Sequence, residues 1–177
     1  FEIITAELGE RTFPAGIAEV VKRVIHTTAD FDYADSLAFS PDVIEQAKAA
    51  LCNGATIVTD TNMALSGISK PSLTKLGAKA LCLMADPDIA REAKERGVTR
   101  AVVSMEHAAR LDGPLIFAVG NAPTALIRLH ELIGKDEVKP ALVIGVPVGF
   151  VNVVEAKELF IGGKTPYIIA RGRKGGS

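Results

Sequence analysis

Cysteine is scarce: Cys52 and Cys82 are the only two in 177 residues. Both lie in apolar segments without metal-like spacing, which argues against a disulfide-stapled scaffold and a cysteine zinc site. They are expected as buried thiols of a reducing compartment. Cations are not in surplus either, with 20 Lys+Arg facing 21 Asp+Glu for a formal net charge of −1. A general nucleic-acid backbone binder needs excess positive charge, so nucleic acid is not an expected partner. A small anionic ligand remains open. Long hydrophobic runs are missing too. The longest, ALVIGVPVGFVNVV at 141–154, is broken by Gly145, Pro147 and Gly149. It falls short of the roughly 18 residues of a helical span, so no membrane is expected as a partner. The sequence starts at Phe1, with neither an initiator Met nor the cationic opening of a signal peptide. It reads as trimmed, with the cytoplasm as the expected location.

What is present suits one ordinary domain, 48% hydrophobic and 23% charged. No repeat, charge run or low-complexity tract divides it. Short apolar runs alternate with helical periodicity, the pattern of an α/β domain. Five strands are expected at 55–59, 78–83, 115–119, 141–146 and 166–170. Most lack the alternation of a half-wetted strand, so the sheet is expected to be mainly parallel and flanked by helices. An α+β arrangement with some antiparallel pairing is the alternative. Ser40-Pro41 and Asp86-Pro87 read as an N-cap followed by Pro at the first helical position. Pro123 opens a helix over 123–133, and Asn152 with Glu155 has capping-box spacing before a helix ending near Phe160. Segments 14–25 and 99–110 are expected to be helical.

The densest polar cluster is Arg23-Val-Ile-His-Thr-Thr-Ala-Asp-Phe-Asp-Tyr33. On a helix, Arg23 and His26 share a face. Thr27 and Thr28 bring hydroxyls beside the imidazole, and Asp30 or Asp32 would favour imidazolium, which can donate a proton. The plainer reading is a helix-end histidine meeting terminal carbonyls. Three strand-to-loop transitions gather polar groups: Thr59-Asp60-Thr61-Asn62, Gly120-Asn121 before Pro123, and Gly145 to Gly149 before Asn152. Carboxyl ends of parallel strands are where open sheets bind ligands, although such residues also suit ordinary turns. No H-E-x-x-H links His26, His107 or His130, so no metal site is expected. Neither G-x-G-x-x-G nor a phosphate loop occurs, which weighs against a nucleotide. Lys157 invites a Schiff-base role, but Glu155 and Glu158 are expected to keep it protonated. The tail Arg171-Gly-Arg173-Lys174-Gly-Gly reads as a solvated terminus or a carboxylate clamp, with Gly172 and Gly175 permitting close backbone approach.

The stretches RVIHTTADFDY (23–33), FSPD (39–42), TDTNM (59–63), GVTR (97–100), GNAPTAL (120–126), GVPVGFVNVVEAKE (145–158) and RGRKGGS (171–177) occur in order across nearly the whole chain. As a set they resemble the precorrin-8X methylmutase family, including its cobalt-precorrin-8 relatives, and the HTTAD form looks more like the cobalt-handling branch. The resemblance implies an isomerase of cobalamin biosynthesis that moves a methyl group from C11 to C12 of a corrinoid ring. It implies a mainly parallel α/β fold, a homodimer and no cofactor, any cobalt belonging to the substrate. Members normally begin with further residues, including a serine just before the Phe1 position, and continue past Ser177 into a last helix. The family's essential histidine matches His26, and its substrate arginines match Arg23 and Arg100. Its strand-end loops match Thr59, Asp60 and Asn62, Gly120 and Asn121, and Gly145 through Gly149. Thr27 and Arg173 complete the candidate contacts to a carboxylate-fringed macrocycle. A non-catalytic corrinoid carrier is the alternative that carboxylate clamps alone would also suit.

Overall fold

The computed structural model describes residues 1–177. Helices α1 (Glu2–Leu8), α2 (Ile17–Thr28) and α3 (Tyr33–Ser36) precede strand β1 (Leu37–Phe39). Then come α4 (Val43–Cys52), β2 (Thr56–Thr59), α5 (Asn62–Gly67), α6 (Lys70–Leu76) and β3 (Lys79–Cys82). Next are α7 (Pro87–Arg96), α8 (Arg100–Ala108), β4 (Leu115–Val119) and α9 (Pro123–Gly134). The chain closes with β5 (Leu142–Gly145), α10 (Val153–Glu158) and β6 (Tyr167–Ala170). One sheet runs in the order β1-β6-β5-β4-β2-β3. Every pairing is parallel except β1 with β6, which is antiparallel.

The expected five strands are all present, within a residue or two at their ends, and the sixth corrects the count. β1 has three half-buried residues, too few to show a period, and its place is set by β6 instead. Neighbouring strand residues face opposite sides of the sheet. Ile116, Leu142 and Ile168 pack with Val43 and Ala50 of α4. Phe117, Val143 and Ile169 point the other way, into the larger core with Met105 of α8, Leu126 and Leu129 of α9 and Ala156 of α10. Burial on both faces explains the missing alternation, and each fully enclosed Leu or Phe contributes about 1.5–3 kcal/mol.

Local signals were unequally faithful. Asp86 caps α7 as expected, its Oδ1 accepting from the Asp88 N–H at 2.8 Å ahead of Pro87. Ser40 does not cap α4. Its buried Oγ accepts the Tyr167 N–H at 2.8 Å, extending the β1–β6 pairing, and Asp42 at φ 56° starts the helix. Asn152 likewise takes a left-handed φ of 58° and makes no capping bond. The thiols also need correction, because Cys52 is exposed and Cys82 half-buried; both are free.

Helices α7, α8 and α9 are tied by an ion-pair network. Glu106, 7% exposed, takes two bonds from Arg96 (2.5 and 3.0 Å) and one from Arg128 Nε at 2.8 Å. The Arg96 hydrogen bonds, against the opposing effect of burial, hold the Glu106 carboxyl below its ordinary value. A depressed folded-state pKa contributes stability above the unfolded value, about 4.3, which is lost as pH falls through the lower folded value. The urea midpoint should therefore drop on acidification below about pH 4.3, and Glu106→Gln should be less stable at pH 7 with a shallower acid decline. Parallel pH curves for the two proteins would refute the assignment.

Candidate active site

The carboxyl ends of β2, β4 and β5 meet along one edge, and a buried carboxylate organises them. Asp60, 1% exposed, follows β2. Its Oδ1 accepts the Gly120 N–H at 2.9 Å, and its Oδ2 accepts those of Asn121 (2.9 Å) and Ala122 (2.7 Å). These donors lead into α9, so the negative charge also sits at a helix N-terminus. Beside it, buried Thr59 donates to the Thr61 carbonyl at 2.9 Å.

On the other side of β5 stands α2. Its last two turns carry Arg23, His26 and Thr27, and Ala29 at φ 54° ends it. Arg23 lies over the Phe1 ring at 4.8 Å, and His26 meets that ring edge-on at 5.6 Å. A cavity of about 300 Å³ opens between this helix and β5, walled by Arg23, Thr27, Thr28, Tyr33, Val146 and Ser177 among others. His26 is exposed, about 60° around the helix from Arg23 and away from Val24 and Thr28. It thus flanks the cavity wall instead of forming it. Burial pushes the Tyr33 phenol up, and the Asp30 charge adds to this.

A second cavity, about 330 Å³, lies over β4 and is walled by Met63, Ile68, Val119, Gly120, Val146 and Ser177 among others. Val146, Gly176 and Ser177 belong to both walls. The tail after β6 therefore runs between the cavities. The Gly176 N–H donates to the Val146 carbonyl at 2.8 Å, and the Gly149 N–H to the Arg173 carbonyl at 3.1 Å. Gly175 is required here, since a Cβ would press on the Val146 carbonyl and stand 2.8 Å from that of Pro147. The close approach expected of this glycine is thus present.

Other expected residues land differently. Asp30 and Asp32 do not serve His26. Both accept from Lys174 Nζ at 2.6 Å, and that bond holds Asp30 below the usual carboxylate range. Asp60 and Thr59 direct their polar atoms into the protein, so they build the site's edge without presenting free groups to a ligand. Asn62 and Asn121 have exposed side chains at that edge. Gly145 is buried where a Cβ would stand 2.6 Å from Ile169 Cδ1, which makes it a packing residue. Gly149, at φ 144°, shapes the loop that meets the tail.

Arg173 lies over the exposed Phe150 ring at 5.2 Å, whereas Arg171 is paired with Glu158 through two 2.9 Å bonds. Arg100 is not brought to the Arg23 cavity. It reaches the Met84 carbonyl at 3.3 Å beyond β3, at the far end of the sheet. Lys157 is the largest correction: it is fully buried, its Nζ donates to the Gly172 and Lys174 carbonyls at 2.9 and 2.8 Å, and burial pushes its pKa down to about 8. Sequence reasoning placed Tyr33 in the polar cluster, Val146 in the Gly145–Gly149 loop and Gly176 and Ser177 in the RGRKGGS stretch, but did not single out any of them as a cavity wall. The close spacing of glycines at 172, 175 and 176 was the available signal.

A cation-bearing cleft with an apolar floor fits many anionic ligands, and comparison with known proteins narrows the choice. The family model for precorrin-8X methylmutase matches residues 1–177. The chain belongs to the precorrin-8X methylmutase family. A cobalt-precorrin-8 methylmutase of Priestia megaterium is 44% identical over 177 residues, covering 100% of this chain and 79% of that protein. One from Salmonella typhimurium is 46% identical over 159 residues, covering 89% and 74%. A crystal structure of precorrin-8X methylmutase from Thermus thermophilus superposes with a TM-score of 0.90 at 40% identity, covering 99% of this chain and 84% of that one. The precorrin-8X methylmutase reading makes the protein a methyl-shifting isomerase of cobalamin biosynthesis. Within this methylmutase, Asp60→Ala should cost about 2–4 kcal/mol in urea unfolding, because three N–H groups lose a charged acceptor. A loss below about 0.5 kcal/mol, within the range of ordinary surface changes, would show that Asp60 does not anchor the edge.

Proposed function

We propose that this methylmutase acts on cobalt-precorrin-8, with His26 as the acid and arginines holding the ring's carboxylates. The cobalt preference is supported by the names of relatives: those 41–46% identical are called cobalt-precorrin-8 methylmutases, whereas below that, at 35–40%, both names occur. The observation carrying the site assignment is the grouping of Arg23, His26 and Thr27 on the last two turns of α2, beside a cavity floored by the carboxyl end of β5.

Methyl migration from C11 to C12 is a rearrangement that consumes no hydride and no external methyl donor. His26 donates a proton, or a strong hydrogen bond, from a ring N–H to a ring nitrogen of the substrate next to the migrating carbon. That draws electron density toward the nitrogen and favours the shift, and the proton returns to the imidazole afterward. Arg23 at one end of the sheet edge and Arg100 at the other suit carboxylates on opposite sides of a flat substrate. Arg173 with Phe150, which is 81% exposed, offers a further cation beside an apolar face. The protein works in this reading as a cytoplasmic homodimer.

His26→Ala should retain corrinoid affinity and lose about 100-fold or more of the single-turnover methyl-shift rate. A near-normal rate would remove His26 from the chemistry, and lost affinity with an unchanged bound-state rate would make it a binding residue. Arg100→Ala, measured alongside, should mainly weaken binding; unchanged affinity would defeat that assignment. Light scattering should give twice the chain mass, and a single chain mass would overturn the dimer.

A further inference from the structure

We propose that Lys157 is a positioning residue: from inside the protein, its ammonium holds segment 171–177 as the wall shared by the two cavities. This rests on the reading that those cavities receive the corrinoid. No measurable fraction of Lys157 is exposed, and an ammonium removed from water is costly unless its hydrogen bonds are replaced. The replacement is unusual. No carboxylate bonds to Nζ. Its two bonds go to backbone carbonyls, Gly172 O at 2.9 Å and Lys174 O at 2.8 Å. The adjacent Glu158 turns outward to Arg171.

The two carbonyls belong to alternate residues of one irregular segment, which bends at Gly172 (φ 79°). The carbonyl between them, on Arg173, accepts from the Gly149 N–H on the β5–α10 loop. Beyond them the segment passes Gly175, which has no room for a Cβ, and bonds through Gly176 to Val146. It ends with Ser177 Oγ and Thr61 Oγ1 2.8 Å apart, and its Cα would be 2.7 Å from a Cβ on Gly120. Lys174, whose carbonyl Lys157 holds, extends its own ammonium to Asp30 and Asp32 just beyond α2. One buried cation thus fixes the segment midway between the α2 and β2–β4 sides of the site. An apolar side chain of similar volume would fill the space without fixing the carbonyls, so the charge serves geometry more than stability. The burial that pulls the Lys157 pKa down to about 8 expresses the same enclosure.

The test compares the whole protein with Lys157→Met, Lys157→Gln and Gly175→Ala in steady-state kinetics on cobalt-precorrin-8, with amide hydrogen exchange at Gly176. Wall contacts bind ground and transition states alike, so their loss raises KM and spares kcat. Lys157→Met and Gly175→Ala should each raise KM about tenfold or more, keep kcat within about threefold, and speed Gly176 exchange. Lys157→Gln, with donors on a shorter arm, should fall between, and it carries the decision if the Met variant does not fold. A wild-type KM in the Lys157 variants, or a kcat loss at unchanged KM, overturns the role of Lys157. An unchanged KM in Gly175→Ala overturns the shared wall. Absence of conversion by the wild-type protein is a separate result that strikes the substrate reading itself.

Discussion

Three backbone N–H groups converging on one buried carboxylate set the frame for everything at the sheet's carboxyl edge. Asp60 leaves β2 and receives the turn that leads from β4 into α9, so two crossover connections share a single anchor. In a parallel sheet these connections are the material from which a site is made, because the strand ends all open on one side. Across β5, Lys157 plays the opposite-signed part by holding carbonyls of the tail. A buried anion gathering donors and a buried cation gathering acceptors together position backbone that lies outside the helices and strands.

Much of the fold was legible because the sheet is covered on both faces. Continuous apolar runs such as Leu115–Val119 and Leu142–Gly145 are short and rich in branched residues, which favours strands over buried helices, and Asp86-Pro87 marks a helix start by chemistry confined to a few residues. The failures were non-local. Ser40 has the composition of a cap, yet its hydroxyl belongs to Tyr167, 127 residues away. β1 is too short to carry a pattern and exists because β6 has a free edge.

The site shows the same division. The grouping of Arg23, His26 and Thr27 follows from helical spacing and was readable directly. The fate of Lys157 was not, for a reason that spacing itself supplies. Glu155 and Glu158 lie two before and one after it, positions that do not share a helix face. Sequence neighbours were mistaken for spatial ones. Asp30 and Asp32 repeat the error from the other side: near His26 in sequence, they share the ammonium of Lys174, more than 140 residues away. Only the folded chain shows that the tail's cations divide their work, with Arg171 and Lys174 in internal pairs and Arg173 over Phe150.

Acid catalysis by His26 requires the imidazole of α2 to lie against the bound macrocycle. A crystal structure with the rearranged corrinoid bound measures this directly. It should place a ring nitrogen of the macrocycle about 2.6–3.2 Å from a His26 nitrogen, with the Arg23 guanidinium on a peripheral carboxylate. A macrocycle seated elsewhere, with His26 still facing solvent, would contradict the central claim.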